Sequence, residues 1–177
     1  MNHLETLVFQ WLDYRRYIVR PNIRVGRMQQ GGHRGELDIV AYHPIIKHCL
    51  HAECSTDARS WAHREKQFQK KFGRGRETIP TEVFPWIEDI DEIEQWAVIW
   101  GIGGGRRTVG GGKVVPLKTL YHNIARDVRR LNKKGHRVFP EKYSHLRTIQ
   151  AAMRYIGDEI DEEEEGTGTE WLLPDTE

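Results

Sequence analysis

Apolar positions fall into a clear succession of periods along the chain. Leu4, Leu7, Val8, Trp11 and Leu12 recur at i, i+3, i+4, i+7 and i+8, the stripe of an amphipathic helix. Asn2 is placed to cap that helix, and Glu5 stands where a capping box needs its acid. The helix is expected to end near Arg16. Tyr17 to Arg20 and Ile23 to Val25 then read as a strand bent at Pro21. Gly31, Gly32 and Gly35 mark a turn. Two apolar runs follow, Leu37 to Ala41 and His48 to Cys54, joined by a short turn containing Pro44. Their composition predicts two paired strands.

Beyond Ser55 the spacing predicts a polar helix over about 58–72, capped by Asp57 and anchored by Trp61, Phe68 and Phe72. Pro80 and Pro85 argue for loop, with a short helix near 88–95. Trp96 to Trp100 is a strand. Gly101 to Gly112 is glycine-rich, and Lys113 to Val115 resumes as strand, the pattern of a hairpin with a flexible tip. Leu117, Leu120, Ile124, Val128 and Leu131 form the stripe of a helix that Gly135 ends. A last helix is expected from Tyr143 to Ile156. The order is helix, three strands, helix, strand, strand, helix. It predicts an α/β fold, a mixed central sheet flanked by helices.

The length of 177 residues favours one domain with a useful core. No apolar run approaches the ~20 residues of a membrane span. The N-terminal MNHLETLVFQWLDYRR carries acids and no small-residue cleavage site, which does not read as a secretory signal. Cys49 and Cys54 lie five apart on one expected strand, so they would point to opposite faces and not bridge. A reducing cytoplasm is the expected location.

The net charge of +1 hides an asymmetry. Residues 158–177 hold ten acids and no Lys or Arg, while residues 1–157 hold 27 bases against 16 acids, a net +11. This draws a boundary between a basic body, 1–157, and an acidic tail, 158–177, whose like charges discourage packing. The tail either aids solubility or covers the basic face until nucleic acid displaces it. A basic body suits a polyanionic partner.

Each of the paired strands carries one acid, Asp38 in the first and Glu53 in the second. An acid inside an apolar strand loses hydration and needs a partner. Two carboxylates on neighbouring strands can share a Mg²⁺ or Mn²⁺ ion, with waters and substrate phosphates completing the shell. The alternative is two edge acids facing water.

With Glu5 on the first helix, Gly35-Glu36-Leu37-Asp38-Ile39-Val40-Ala41 and then His51-Ala52-Glu53-Cys54-Ser55, the chain resembles the PD-(D/E)XK, or restriction-endonuclease-like, nuclease superfamily. It looks closest to the Holliday-junction-resolvase and Mrr-like branches. The resemblance covers roughly residues 4–72. It implies metal-dependent hydrolysis of phosphodiester bonds, with Asp38 and Glu53 as metal ligands and Glu5 as a third carboxylate. Glu36 shares a strand face with Asp38 and is a spare ligand candidate.

One position departs from the pattern. Ser55 stands where the family carries its lysine, on the same strand face as Glu53. Some members supply this group from the following helix, where Lys66 and Gln67 are the choices here. Arg34, Lys70, Lys71, Arg106, Arg107 and Lys113 are the candidates for contacting nucleic acid. Lys66 and Lys70 read equally well as solvated charges.

Zinc is not expected. No Cys-X-X-Cys or His-Glu-X-X-His spacing occurs, and His48 and His51 would point to opposite faces of their strand. The Gly101–Lys113 segment also fails the P-loop pattern. Val114 follows Lys113 where Ser or Thr is needed, and a strand follows where a helix should.

The leading expectation is a Mg²⁺- or Mn²⁺-dependent nuclease acting on nucleic acid, DNA before RNA, with no membrane partner. A homodimer is left open. The second is a DNA-binding or scaffold module of the same fold whose chemistry lapsed at Ser55. The third is a subunit of a larger defence or recombination assembly.

Overall fold

The computed structural model describes all residues except 57–58, 89, 91, 102–104, 134, 136–137, 157–171 and 174–177. The protein is mixed α/β. The chain divides into two compact units, Met1–Leu117 and Lys118–Glu177. Charge asymmetry places its boundary at residue 157. Packing places one where the sheet is complete, since the last strand ends at Pro116.

The first unit opens with α1 (His3–Tyr14), capped as expected: Glu5 N–H donates to Asn2 Oδ1 at 3.0 Å and Asn2 N–H to Glu5 Oε2 at 2.9 Å. Then come β1 (Ile18–Arg27), β2 (His33–His43) and β3 (His48–Ser55). Helix α2 (Trp61–Thr78) crosses back to β4 (Ile93–Ile99), and β5 (Thr108–Val109) and β6 (Gly112–Pro116) finish the sheet. Its strand order is β1-β2-β3-β4-β6-β5. β1–β2, β2–β3 and β5–β6 are antiparallel, and β3–β4 and β4–β6 are parallel. Pro21 is tolerated because β1 is an edge strand, with β2 as its neighbour on one side only.

The two helices cover opposite faces. Every member of the α1 stripe is buried, and Trp11 stacks on Trp96 with ring centroids 6.3 Å apart. Phe68 and Phe72 of α2 pack with Ala97, Ile99, Val109 and Val114. Trp96 and Ala97 are consecutive in β4 and so point to opposite sides. A second cluster joins Val25, Leu37, Val40, Tyr42 and Cys49 to Ile79, Val83 and Phe84.

Three sequence expectations are corrected. Helix α2 runs to Thr78 and continues as a single π-helical turn, Ile79–Val83. Pro80 sits at the start of that turn, where its missing N–H interrupts the i→i−4 ladder and the helix changes to the wider turn. The cap expected at Asp57 lies outside the described residues, and Ser60 occupies the N-cap without a side-chain bond. The short helix at 88–95 gives way to β4, because Ile93, Glu94 and Gln95 pair in register with Cys49, Leu50 and His51. The glycine-rich hairpin is local. Its turn is Gly110-Gly111 between paired Val109 and Gly112, with φ of 58° and 85°, the two positive values of a tight hairpin turn. The reversal therefore lies within β5–β6, and β4 meets β6 in parallel.

In the second unit, α3 (Leu117–Lys133) and α4 (Ser144–Ile156) agree with the expected helices to within two residues at each end. Gly135 follows α3 at φ 98°. Within the stretch expected as tail, Leu172 and Leu173 are buried, and Leu172 N–H donates to the buried Asn123 Oδ1 at 2.9 Å. The apolar pair thus packs although the acidic run before it predicts no packing. That run lies outside the described residues. Among the described residues no helix is long and apolar enough to cross a membrane.

Candidate active site

Asp38 and Glu53 meet where β2 and β3 part. The last pair of their ladder at this end is Ile39–Ala52. Beyond it, Cys54 N–H donates to Asp38 Oδ2 at 2.9 Å. Asp38 N–H faces Glu53 Oε1 at 3.4 Å. The two carboxylates thus fill the gap that opens between the strands. Both are buried, Asp38 at 8% exposure and Glu53 at 0%.

A cation lies between them. Lys71 Nζ donates to Asp38 Oδ1 at 3.0 Å and to Glu53 Oε2. The sequence marks Lys71 only as a nucleic-acid contact. Its place on α2 explains the difference. Arg64, Phe68 and Gly75 are buried on this helix, and position 71 lies on the same i, i+4, i+7, i+11 stripe. A lysine on a buried stripe needs an acid opposite, and α2 lies over the face that carries Glu53. Lys66 is offset by about 200° from Phe68 and is exposed.

The remaining candidates separate cleanly. Gln67 and Ser55 line a cleft of about 260 Å³ beside Lys71, with Cys54, Thr56 and Phe68. Glu5 commits its carboxylate to the capping box, and its charge reaches Cys54 across the α1 side of the sheet. Glu36 is half-exposed beside Arg24, 4.0 Å away. Lys113 lies within β6, where its charge acts on Glu94. Arg106 stacks on the Trp61 ring at 5.2 Å, at the first turn of α2. Arg107 is exposed just before β5.

Arg34 and Lys70 share a second cleft, of about 440 Å³, between the β1–β2 end and α2. Arg74, which the sequence reading passes over, is the third cation there. Its guanidinium lies against the backbone at Gly35, where an added Cβ would overlap Nη1. A side chain at 35 would therefore push the flexible Arg74 head group aside. Among the described residues none of these three cations is in an ion pair.

The electrostatics drive the two acids apart. Burial, reinforced by the charge on Glu53, raises the Asp38 pKa to about 7 against the pull of Lys71 and the Cys54 N–H. Burial acts on Glu53 in the same sense, but the His51 ring and Lys71 overcome it and leave its pKa below the ordinary value. Burial would lower Lys71, yet the two carboxylates hold it firmly protonated.

This yields a stability signature in metal-free buffer. The raised Asp38 pKa contributes stability present below pH 3.8 and lost as pH rises through about 7. The lowered Glu53 pKa contributes stability present above 4.5 and lost as pH falls through its folded value. Asp38→Asn should therefore gain on the parent in thermal midpoint as pH climbs through this range. Glu53→Gln should lose ground to the parent as pH climbs toward 4.5 from below. Melting curves of the three proteins across pH test this, and difference curves of the same sign would contradict it.

No family model and no curated protein matches the chain. One similar solved structure is a crystal structure of a protein of unknown function, AF1548. It is 11% identical, with a TM-score of 0.39, over 86% of this chain and 96% of that one.

The donor set fits a hard divalent cation. Among the described residues no three His, Cys, Asp or Glu side chains group to hold a metal. Asp38 and Glu53 alone would supply carboxylate oxygens, leaving positions for water and phosphate, the habit of Mg²⁺. Both already turn an oxygen to one cation, Lys71 Nζ.

Proposed function

We propose that the protein is a metal-dependent nuclease whose centre is Asp38, Glu53 and Lys71. The observation that carries this reading is the bridging of the two strand acids by a lysine from α2. Asp38 and Glu53 would hold Mg²⁺ or Mn²⁺. Such an ion, when bound, lowers the pKa of a coordinated water and offsets charge at the scissile phosphate. Lys71 supplies the fixed positive charge that Ser55 lacks, aimed at the negative charge that grows on a phosphate under attack. Gln67 and Ser55 line the adjoining cleft as neutral hydrogen-bonding groups. The resemblance to the PD-(D/E)XK superfamily supports this reading, with its lysine moved from strand to helix. Cleavage by the parent that requires a divalent cation and disappears in Asp38→Asn is the test.

DNA is the favoured substrate, and Arg34, Lys70 and Arg74, which line the second cleft together with Glu77 and Glu82, would take its phosphates. Arg34→Ala and Arg74→Ala should each weaken binding to all sequences alike. Each should also reduce the slope of log K against log salt by about 0.9 for duplex DNA. Fluorescence anisotropy across a salt series measures both, and unchanged slopes would move the phosphate path elsewhere.

A second reading has its own support. Lys71 bridges both acids without a metal, so the triad could be a buried structural ion cluster in a DNA-binding module. Calorimetric titration of Mn²⁺ separates the two, since the cluster alone has no need of it.

A further inference from the structure

Behind Glu53 lie two buried polar side chains that the chemistry above leaves unused. His51 is fully buried and Gln95 nearly so. The parallel register sets them opposite one another on β3 and β4. Gln95 is oriented from both ends by groups of fixed character. Arg76 Nη1 donates to Gln95 Oε1, and a guanidinium can only donate. Gln95 Nε2 donates to the Phe72 carbonyl at 2.9 Å, and a carbonyl can only accept.

The second Nε2 hydrogen therefore faces His51 Nδ1, 3.3 Å away, and that nitrogen must present its lone pair. The ring proton is left on Nε2, which donates to Glu53 Oε1 at 2.8 Å. The ring has no room to turn. Phe72 meets it edge-on at 5.4 Å, and the backbone at Gly75 lies so close that an added Cβ would overlap Nδ1.

We propose that Gln95 is a positioning residue that locks His51 as its Nε2–H tautomer, so that His51 occupies Glu53 Oε1 and leaves Oε2 for Lys71 and the metal. The role assigned to Oε2 rests on the nuclease reading, whereas the tautomer does not. A relay of this kind sets the direction of a metal-binding carboxylate from outside the ligand set.

Nitrogen-15 NMR of the uniformly labelled, metal-free full chain reads the tautomer directly. The expected spectrum has His51 protonated at Nε2 and bare at Nδ1. A proton on Nδ1, or rapid averaging between the tautomers, overturns the proposal. Gln95→Met should then lower Mn²⁺ affinity by about 10- to 100-fold and shift the His51 ring signals. Affinity and shifts equal to the parent's would also overturn it. Should Gln95→Met fail to fold, Arg76→Met, at an exposed helix position, decides instead. It frees the amide to flip and should move the same ring signals. If the parent binds no Mn²⁺, the metal reading fails while the NMR result still judges Gln95.

Discussion

Asp38→Asn and Glu53→Gln should each abolish cleavage while leaving a cooperatively folded protein. The expected loss is at least about 10³-fold, since in the proposed centre these carboxylates would hold the charge worth several kcal/mol at the phosphate and each ~1.4 kcal/mol is tenfold in rate. Folding should survive for a specific reason. In Asp38→Asn the new amide oxygen can keep the Cys54 N–H, and in Glu53→Gln it can keep His51 Nε2–H. In both cases the new NH₂ turns toward Lys71, whose side chain is 37% exposed and can swing to the remaining acid. DNA affinity should hold or rise, because a negative charge beside phosphates has gone. Cleavage that survives both substitutions would remove the acids from the mechanism.

Lys71→Ala should cost on the order of 10²- to 10³-fold in rate, the scale of a lost electrostatic donor. Lys66→Ala should leave the rate unchanged, and Gln67→Ala should cost less than Lys71→Ala. Ser55→Lys sharpens the test. The new lysine would lie on the strand face of Glu53, the place from which the superfamily presents its own. Alone it should add nothing, since Lys71 already fills the role. Combined with Lys71→Ala it should recover part of the lost rate. Single-turnover kinetics with saturating metal measure all of these. A full rate in Lys71→Ala would mean that its ammonium serves only to hold the acids together.

Much of this centre is legible from residue spacing. The stripe from Leu4 to Leu12 and the Asn2–Glu5 pair determine α1 almost to the residue. Two apolar runs joined by a Pro turn place Asp38 and Glu53 on adjacent strands. The part that spacing misses depends on tertiary packing. Which lysine of α2 reaches the acids is decided by which helix face lies on the sheet, and the helix is so polar that only Trp61, Phe68 and Phe72 mark that face. A lysine lying on their stripe is the available signal. Spacing sets His51 only against His48 as a zinc ligand, although strand alternation puts it on the face of Glu53. Gln95 pairs with it only through the parallel register of β3 and β4, which no local pattern reveals. The β4–β6 pairing is likewise hidden, because the Gly-Gly turn reverses the chain only between β5 and β6 and leaves β4 parallel to β6.

Asp38, Glu53 and Lys71 are proposed to form a divalent-cation-dependent centre for phosphodiester hydrolysis. The most direct test incubates the parent with plasmid, single-stranded and junction DNA, and with RNA, in Mg²⁺, in Mn²⁺ and in chelator. At least one substrate should be cut when the cation is present, none in chelator, and none by Asp38→Asn in any buffer. Binding without cleavage in every cation, or cleavage that continues in chelator, would contradict the account.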